Sequence, residues 1–208
     1  MMDNIETEQN KKLHPLPASI GGRSRIMLAS LGGVLFAAFV LSIYGVYPVL
    51  VVGSRIVSAQ EFQKQYNAAL LYVDNAKKVY GESKIRPMTQ GDIKQSVLQG
   101  FVEASLVHDG ASAEVGAGNL AGIVSQKIAN LGDIGKLDNE LAAIYGLHEK
   151  DFEAAVLIPQ AEKDILTGRL FAKGTSYDDW LRSTESHTRV YLFVSGFKWN
   201  GTTVQKIN

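Results

Sequence analysis

Residues 26–54 carry no charged side chain, and Arg23 and Arg25 stand immediately before them. This run, IMLASLGGVLFAAFVLSIYGVYPVLVVGS, constrains the fold more than any other feature of the chain. A hydrocarbon core about 30 Å thick takes roughly 20 apolar residues at about 1.5 Å of helical rise each. Residues 26–47 meet that requirement. Pro48 marks the exit, because a proline inside a helix removes a hydrogen bond and clashes one turn back. The expected organisation is a disordered cytoplasmic tail over 1–22, a transmembrane helix over 23–48 and an extracytoplasmic domain over 49–208.

Lys11, Lys12, Arg23 and Arg25 precede the run, whereas Arg55 and Lys64 are the basic residues that follow it closely. Lys and Arg near a span favour the cytoplasmic side, which puts the N-terminus inside and the C-terminal domain outside. The run is longer than the apolar region of a cleaved signal peptide, which is about 7–15 residues, and no A-x-A site ends it. The expectation is a single-pass protein of the cell membrane. Ala29, Gly33 and Ala37 form a small-residue stripe within the span. Such a stripe lets two helices approach closely and supports a homodimer, although small residues are common in membrane helices in any case.

The chain has no cysteine, which removes disulfides, thiolate metal ligands and a cysteine nucleophile. Four of the 21 basic and three of the 21 acidic residues precede the run, leaving 17 and 18 behind it. A domain so near neutrality lacks the basic excess of a nucleic-acid binder. His14, His108, His148 and His187 are scattered without the i, i+4 spacing of a helical metal site. No G-x-S-x-G elbow is present, so Ser112, Ser125 and His187 have no motif to assemble them. Gly116-Ala117-Gly118 reads as a structural break, not a phosphate loop, and Asp178-Asp179 as first-turn acids complementing a helix dipole. No enzyme, metal or cofactor emerges.

Along the domain the pattern is mainly helical. The valine-rich segment 49–57 reads as a hairpin or one bent strand around Gly53-Ser54. Ser58-Ala59-Gln60-Glu61 is a capping box, after which Phe62, Tyr66, Ala69, Leu70, Val73, Ala76 and Tyr80 share one helical face as far as Gly81. A second helix opens at Pro87–Thr89 with Ile93, Val97, Phe101 and Ala104 on one face, and the glycines between 110 and 122 weaken the pattern. A third covers about 119–131 through Leu120, Val124, Ile128 and Leu131, and a short fourth carries Leu137, Leu141 and Ile144 to Gly146. The fifth starts near His148 and meets Pro159, which must kink or divide it. A sixth follows Thr175 or Ser176 and carries Trp180. The β-branched and aromatic stretch 189–199, then Asn200-Gly201, predicts a terminal hairpin on a two-residue turn. That hairpin and the early valine-rich segment are expected to pair, joining the domain's two ends.

Several segments resemble a known module in the same order. Val52-Gly53-Ser54-Arg55-Ile56-Val57-Ser58-Ala59-Gln60-Glu61-Phe62 resembles the V-N-G-x-x-I-(S/T)-x-x-(E/D)-F opening of the SurA N-terminal chaperone module, shared by SurA, PpiD and PrsA-type foldases, with Val52 in place of the usual Asn. The stretch 92–107 is similar to its V-L-x-x-(L/F)-(I/V) helix. Tyr145-Gly146-Leu147-His148-Glu149-Lys150-Asp151-Phe152 is similar to its Y-G-L-(S/T)-x-x-(E/D)-F turn, with His148 where Ser or Thr caps the next helix. Asp178-Asp179-Trp180-Leu181 and Val190-Tyr191-Leu192 resemble its closing helix and strand. Members with this layout carry a parvulin prolyl-isomerase domain before the closing segment, but here residues 172–176 alone separate Phe171 from Tyr177.

The resemblance implies a membrane-tethered extracytoplasmic chaperone that captures unfolded or newly exported polypeptides on an apolar groove, without catalysis. The sequence names no groove residue. Two other readings use the same helices: a scaffold that binds one fixed partner, and a non-catalytic partner of a separate prolyl isomerase.

Overall fold

The computed structural model describes residues 47–207. The expected transmembrane helix over 23–48, its Ala29–Gly33–Ala37 stripe and the tail over 1–22 lie outside these described residues, apart from Tyr47 and Pro48, which are not helical: Pro48 already opens the first strand. Among the described residues no helix is long and apolar enough to cross a membrane. The body is mainly helical, with two small antiparallel sheets.

The valine-rich segment forms a hairpin, β1 (Pro48–Val52) and β2 (Arg55–Ser58), turned at Gly53 with φ 57°. Ser58 then accepts the Glu61 amide at 3.1 Å and starts α1 (Ala59–Tyr80). Phe62 and Tyr66 are buried, and Ala69, Leu70 and Val73 pack beside them as the periodicity predicts. Tyr80 departs from the expected face and is 63% exposed, as is its neighbour Val79 at 73%. Thr89 and Asp92 form a reciprocal capping box that opens α2 (Gln90–Val115).

α2 runs straight through Gly110, where the sequence pattern weakens. The gap is occupied: a Cβ at Gly110 would stand 2.5 Å from Trp180 Cζ2 and 3.1 Å from Leu166 Cδ2. The glycine is there for close packing, not for a bend. Gly116, at φ 85°, makes the actual break, and α3 (Ala117–Ala129) begins at once. Leu120, Val124 and Ile128 are buried. Leu131 lies beyond the helix end and is exposed, contrary to the expected face. A 3₁₀ turn (Ile134–Leu137) leads to α4 (Asp138–Tyr145), where Leu141 is buried and Ile144 is exposed. The continuous rod α5 follows, and then α6 (Tyr177–His187), capped by Ser176. α5 has three stretches: Glu149–Phe152, a π-helical turn over Glu153–Leu157, and Ile158–Ala172.

The domain ends do pair, though not through the terminal hairpin. β3 (Val190–Leu192) lies against β1, giving the order β2-β1-β3. Gly196, at φ 82°, interrupts the chain, and β4 (Phe197–Trp199) and β5 (Val204–Lys206) form a separate two-stranded sheet. Its loop has four residues, not two. Asn200 N donates to Thr203 O at 3.1 Å, and Asn200 Oδ1 accepts from the Thr202 and Thr203 amides at 2.9 and 2.7 Å. The Asn side chain holds a longer turn that Asn-Gly alone would have closed in two.

The core has two buried clusters. One joins Leu50, Val52, Val57, Phe62, Leu98, Phe101, Val102 and Val204, so both chain ends of the domain meet around α1 and α2. The other joins Val107, Ala111, Leu120, Val124, Leu166 and Leu170 between α2, α3 and the C-terminal part of α5. Trp180 packs against both and links them.

Candidate peptide-binding clefts at the turn of the fifth helix

The start of α5 is built from a distance. His148 occupies the N-cap position with extended backbone but makes no side-chain cap. Asp138, at the start of α4, does the work instead. Its Oδ1 accepts the Glu149 amide at 2.7 Å while its Oδ2 meets His148 Nδ1 at 2.9 Å. The Glu149 amide, then His148, hold the Asp138 carboxyl below its usual range, and the same bond raises the His148 imidazole. A histidine where Ser or Thr would cap is thereby accommodated.

Four residues later the rod widens. Pro159 has no N–H, so the Ala155 carbonyl loses its helical partner, and the ring crowds that carbonyl. The backbone responds with a π turn in which the Ile158 amide reaches back to Glu153 O. The sequence predicts a kink or a division at Pro159, and the helix instead stays continuous by inserting this wider turn. Such turns frequently sit at functional sites.

Four clefts surround it. One, about 340 Å³, lies between α1 and α5 and is lined by Ser58, Lys64, Gln65, Asp151, Ala154 and Ala155. A second, about 250 Å³, lies between α2 and α5 over Ala104, Val107, Ala155, Val156 and Pro159. A third, about 220 Å³, is floored by Leu120, Val124, Ile128 and Ile158 beside α3. The fourth, about 440 Å³, runs past Arg55, Ala154, Ile158, Pro159 and Glu162. Drug-sized ligand pockets span about 300–1,000 Å³; the clefts of about 340 and 440 Å³ fall at the low end of that range and those of about 250 and 220 Å³ below it, so the set suits several small groups in turn. Ala154 and Ala155 leave the room because they have almost no side chain to fill it. The rim is charged and internally paired: Lys64 Nζ meets Asp151 at 2.8 Å, and Arg55 meets Glu61 at 3.3 Å.

His108 and Glu162 stand between the third and fourth clefts, with His108 Nδ1 at 2.8 Å from Glu162 Oε1. Glu162 is buried and His108 half exposed, so this pair is the nearest thing to acid–base chemistry on this side of the fold. Ser112 and Ser125 line the same third cleft, but neither hydrogen-bonds to His108 among the described residues. His187 lies on α6, with Nδ1 2.7 Å from Ser183 O, and joins neither serine. The structure therefore does not bring Ser112, Ser125 and His187 together. No group of three or more metal-ligating side chains occurs among the described residues.

A larger, polar groove of about 540 Å³ lies across α2 beside β5, lined by Asp92, Gln95, Gln99, Glu103, Thr203 and Val204. Its polar groups are already engaged with one another. Gln95 donates to Val204 O at 2.7 Å and Gln99 accepts the Val204 amide at 2.9 Å, so two glutamines hold β5 as a neighbouring strand would. Burial tends to raise the Glu103 carboxyl, but Lys163 and Tyr177, each donating at 2.7 Å, outweigh it and hold it low. Glu185 is raised, chiefly by burial, with the neighbouring Glu103 adding to it. A ligand in this groove would have to displace existing hydrogen bonds, whereas the two clefts of α5 that face α2 and α3 offer apolar floors over Ala104, Val107, Val156 and Pro159 and over Leu120, Val124, Ile128 and Ile158.

Pro159 and the short turn before α5 are legible in the sequence, and the clefts are not. Ala154 and Ala155 carry no signal of their own, and His108 and Glu162 are far apart in the chain. Compared with protein-family models, with curated proteins and with solved structures, the chain returns no match.

Proposed function

We propose that the protein is a membrane-tethered, extracytoplasmic chaperone-like protein of the SurA N-terminal type that captures unfolded exported polypeptides without catalysis. The observation that carries the reading is the set of neighbouring small clefts around the π turn of α5, two of them with apolar floors. Successive small pockets, rimmed by mutually paired charges, fit an extended chain with alternating apolar residues. Capture of this kind draws on apolar burial and not on a reacting group. Holding the clefts at the membrane raises their encounter rate with chains emerging there. The segment between α5 and α6, Lys173 to Ser176, leaves no place for an inserted isomerase domain at that point.

The test uses the full chain in nanodiscs with several unrelated unfolded clients. Aggregation should be suppressed without ATP, and prolyl isomerisation should keep its uncatalysed timescale of tens of seconds. Ala154→Trp and Ala155→Trp should each weaken binding of an unfolded apolar peptide about tenfold, or 1.4 kcal/mol. Unchanged binding in both variants moves the site away from α5. Activity towards no client, with one stoichiometric partner recovered instead, replaces the chaperone reading with a scaffold.

A further inference from the structure

The outer face of the three-stranded sheet presents apolar side chains to solvent. Ile56, Val51 and Tyr191 are direct register partners across β2, β1 and β3, so their side chains share one face. Ile56 is 63% and Tyr191 54% exposed. Phe193 continues the row; its amide donates to Val49 O at 2.9 Å and its ring is 60% exposed. The three strands contain no acidic residue, and their one charged side chain is Arg55. The opposite face carries Leu50, Val52 and Val57, all fully buried, so the core side of the sheet is accounted for and the outer side is not.

We infer that this face is a second membrane contact, seated in the interfacial layer of the bilayer that the 26–47 run crosses. The inference rests on the anchor reading. Very little chain lies between the two: Pro48, the exit of the expected span, is already the first residue of β1. An extended residue covers about 3.3 Å, so all of β1 lies within roughly 20 Å of the exit point. Tyrosine and phenylalanine beside isoleucine, with no acidic residue in the three strands, is a composition that favours the boundary between headgroups and acyl chains. An apolar row held so near a bilayer by its own chain has lipid as the nearest cover.

The absence of native cysteine makes single-cysteine labelling clean. An environment-sensitive fluorophore is placed at Ile56→Cys, Tyr191→Cys, Lys136→Cys and Ala37→Cys in the full chain, reconstituted in vesicles of phosphatidylcholine and phosphatidylglycerol. Quencher lipids labelled near the headgroup or deep in the acyl chain read the depth. Labels at Ile56 and Tyr191 should be blue-shifted and quenched several-fold more by the shallow lipid than the label at exposed Lys136, and Ala37 should respond to the deep one. Deep quenching at Ala37 with Ile56 and Tyr191 behaving like Lys136 overturns the inference and leaves the anchor intact. Blue-shifted sheet labels that no lipid quenches mean that protein, a second copy or another chain, covers the face, and also overturn it. An unquenched Ala37 removes the anchor reading and this inference together.

Discussion

At the scale of single residues, two positions show how context sets a side chain's value. Gly110 interrupts the helical pattern in the sequence yet is needed in the fold, because Trp180 and Leu166 occupy the space a methyl group would take. Gly110→Ala gains about 1 kcal/mol of helix preference but overpacks the contact at a cost of about 1–3 kcal/mol. Denaturant unfolding should show a net loss, with a shift in Trp180 emission; a more stable variant would mean the three elements separate more easily than their contacts imply. His148 and Asp138 give a pH signature. The raised imidazole contributes fully below its ordinary 6.5 and loses that contribution as pH rises through its higher folded value. The lowered carboxyl contributes fully above its ordinary 3.8 and loses that as pH falls through its lower one. Protection of the Glu149 amide from hydrogen exchange should accordingly be greatest between those two ordinary values and decline as the pH rises beyond 6.5 through the raised folded value. His148→Gln should flatten the alkaline side of that profile, and an unchanged profile would remove the pair from the cap.

At the scale of elements, the terminal segment is joined to the domain twice. β3 pairs with β1, and Val204 of β5 is buried and held by Gln95 and Gln99. Truncation after Ser186 uncovers the β1 edge and empties the Val204 site. Burying one such side chain is worth about 1.5–3 kcal/mol, so the loss should exceed that and appear as a lower melting temperature with aggregation. Retention of full stability would show that the helices hold the domain unaided. The π turn belongs to this scale too. Pro159→Ala restores the amide missing from the ladder, and the added hydrogen bond should favour an ordinary α turn over Glu153–Leu157. Amide exchange at Pro159→Ala should slow across that stretch, and client binding should weaken as the clefts narrow.

At the scale of the whole molecule, the prediction concerns topology. With the N-terminus inside, protease added to cells stripped of any outer barrier should digest 54–208 and leave the tail over 1–22 intact. Protection of the C-terminal domain would reverse the orientation drawn from Lys11, Lys12, Arg23 and Arg25. The result bears directly on the proposed function, which requires the clefts to be outside.

Legibility in the sequence followed the range of the interactions. Ser58, Thr89 and Ser176 each cap the helix the local pattern assigns them, because a cap and the amide it binds lie three residues apart. The faces of α1 and α3 are readable for the same reason, until Tyr80 at the last residue of α1 and Leu131 beyond the end of α3, both of which are exposed. Which strand would pair with β1 was not readable: stretch 189–199 has β character throughout, and the break at Gly196 divides it between two sheets. The clefts were less readable still. They exist because Asp138 caps a helix eleven residues away, because Pro159 widens a turn, and because alanines face α1 and α2 across that turn. Periodicity and capping act within a few residues, so the sequence by itself determines the helical character of the domain and the uncharged run before it. Empty space between helices depends on how distant segments are brought together, and only the tertiary structure decides that.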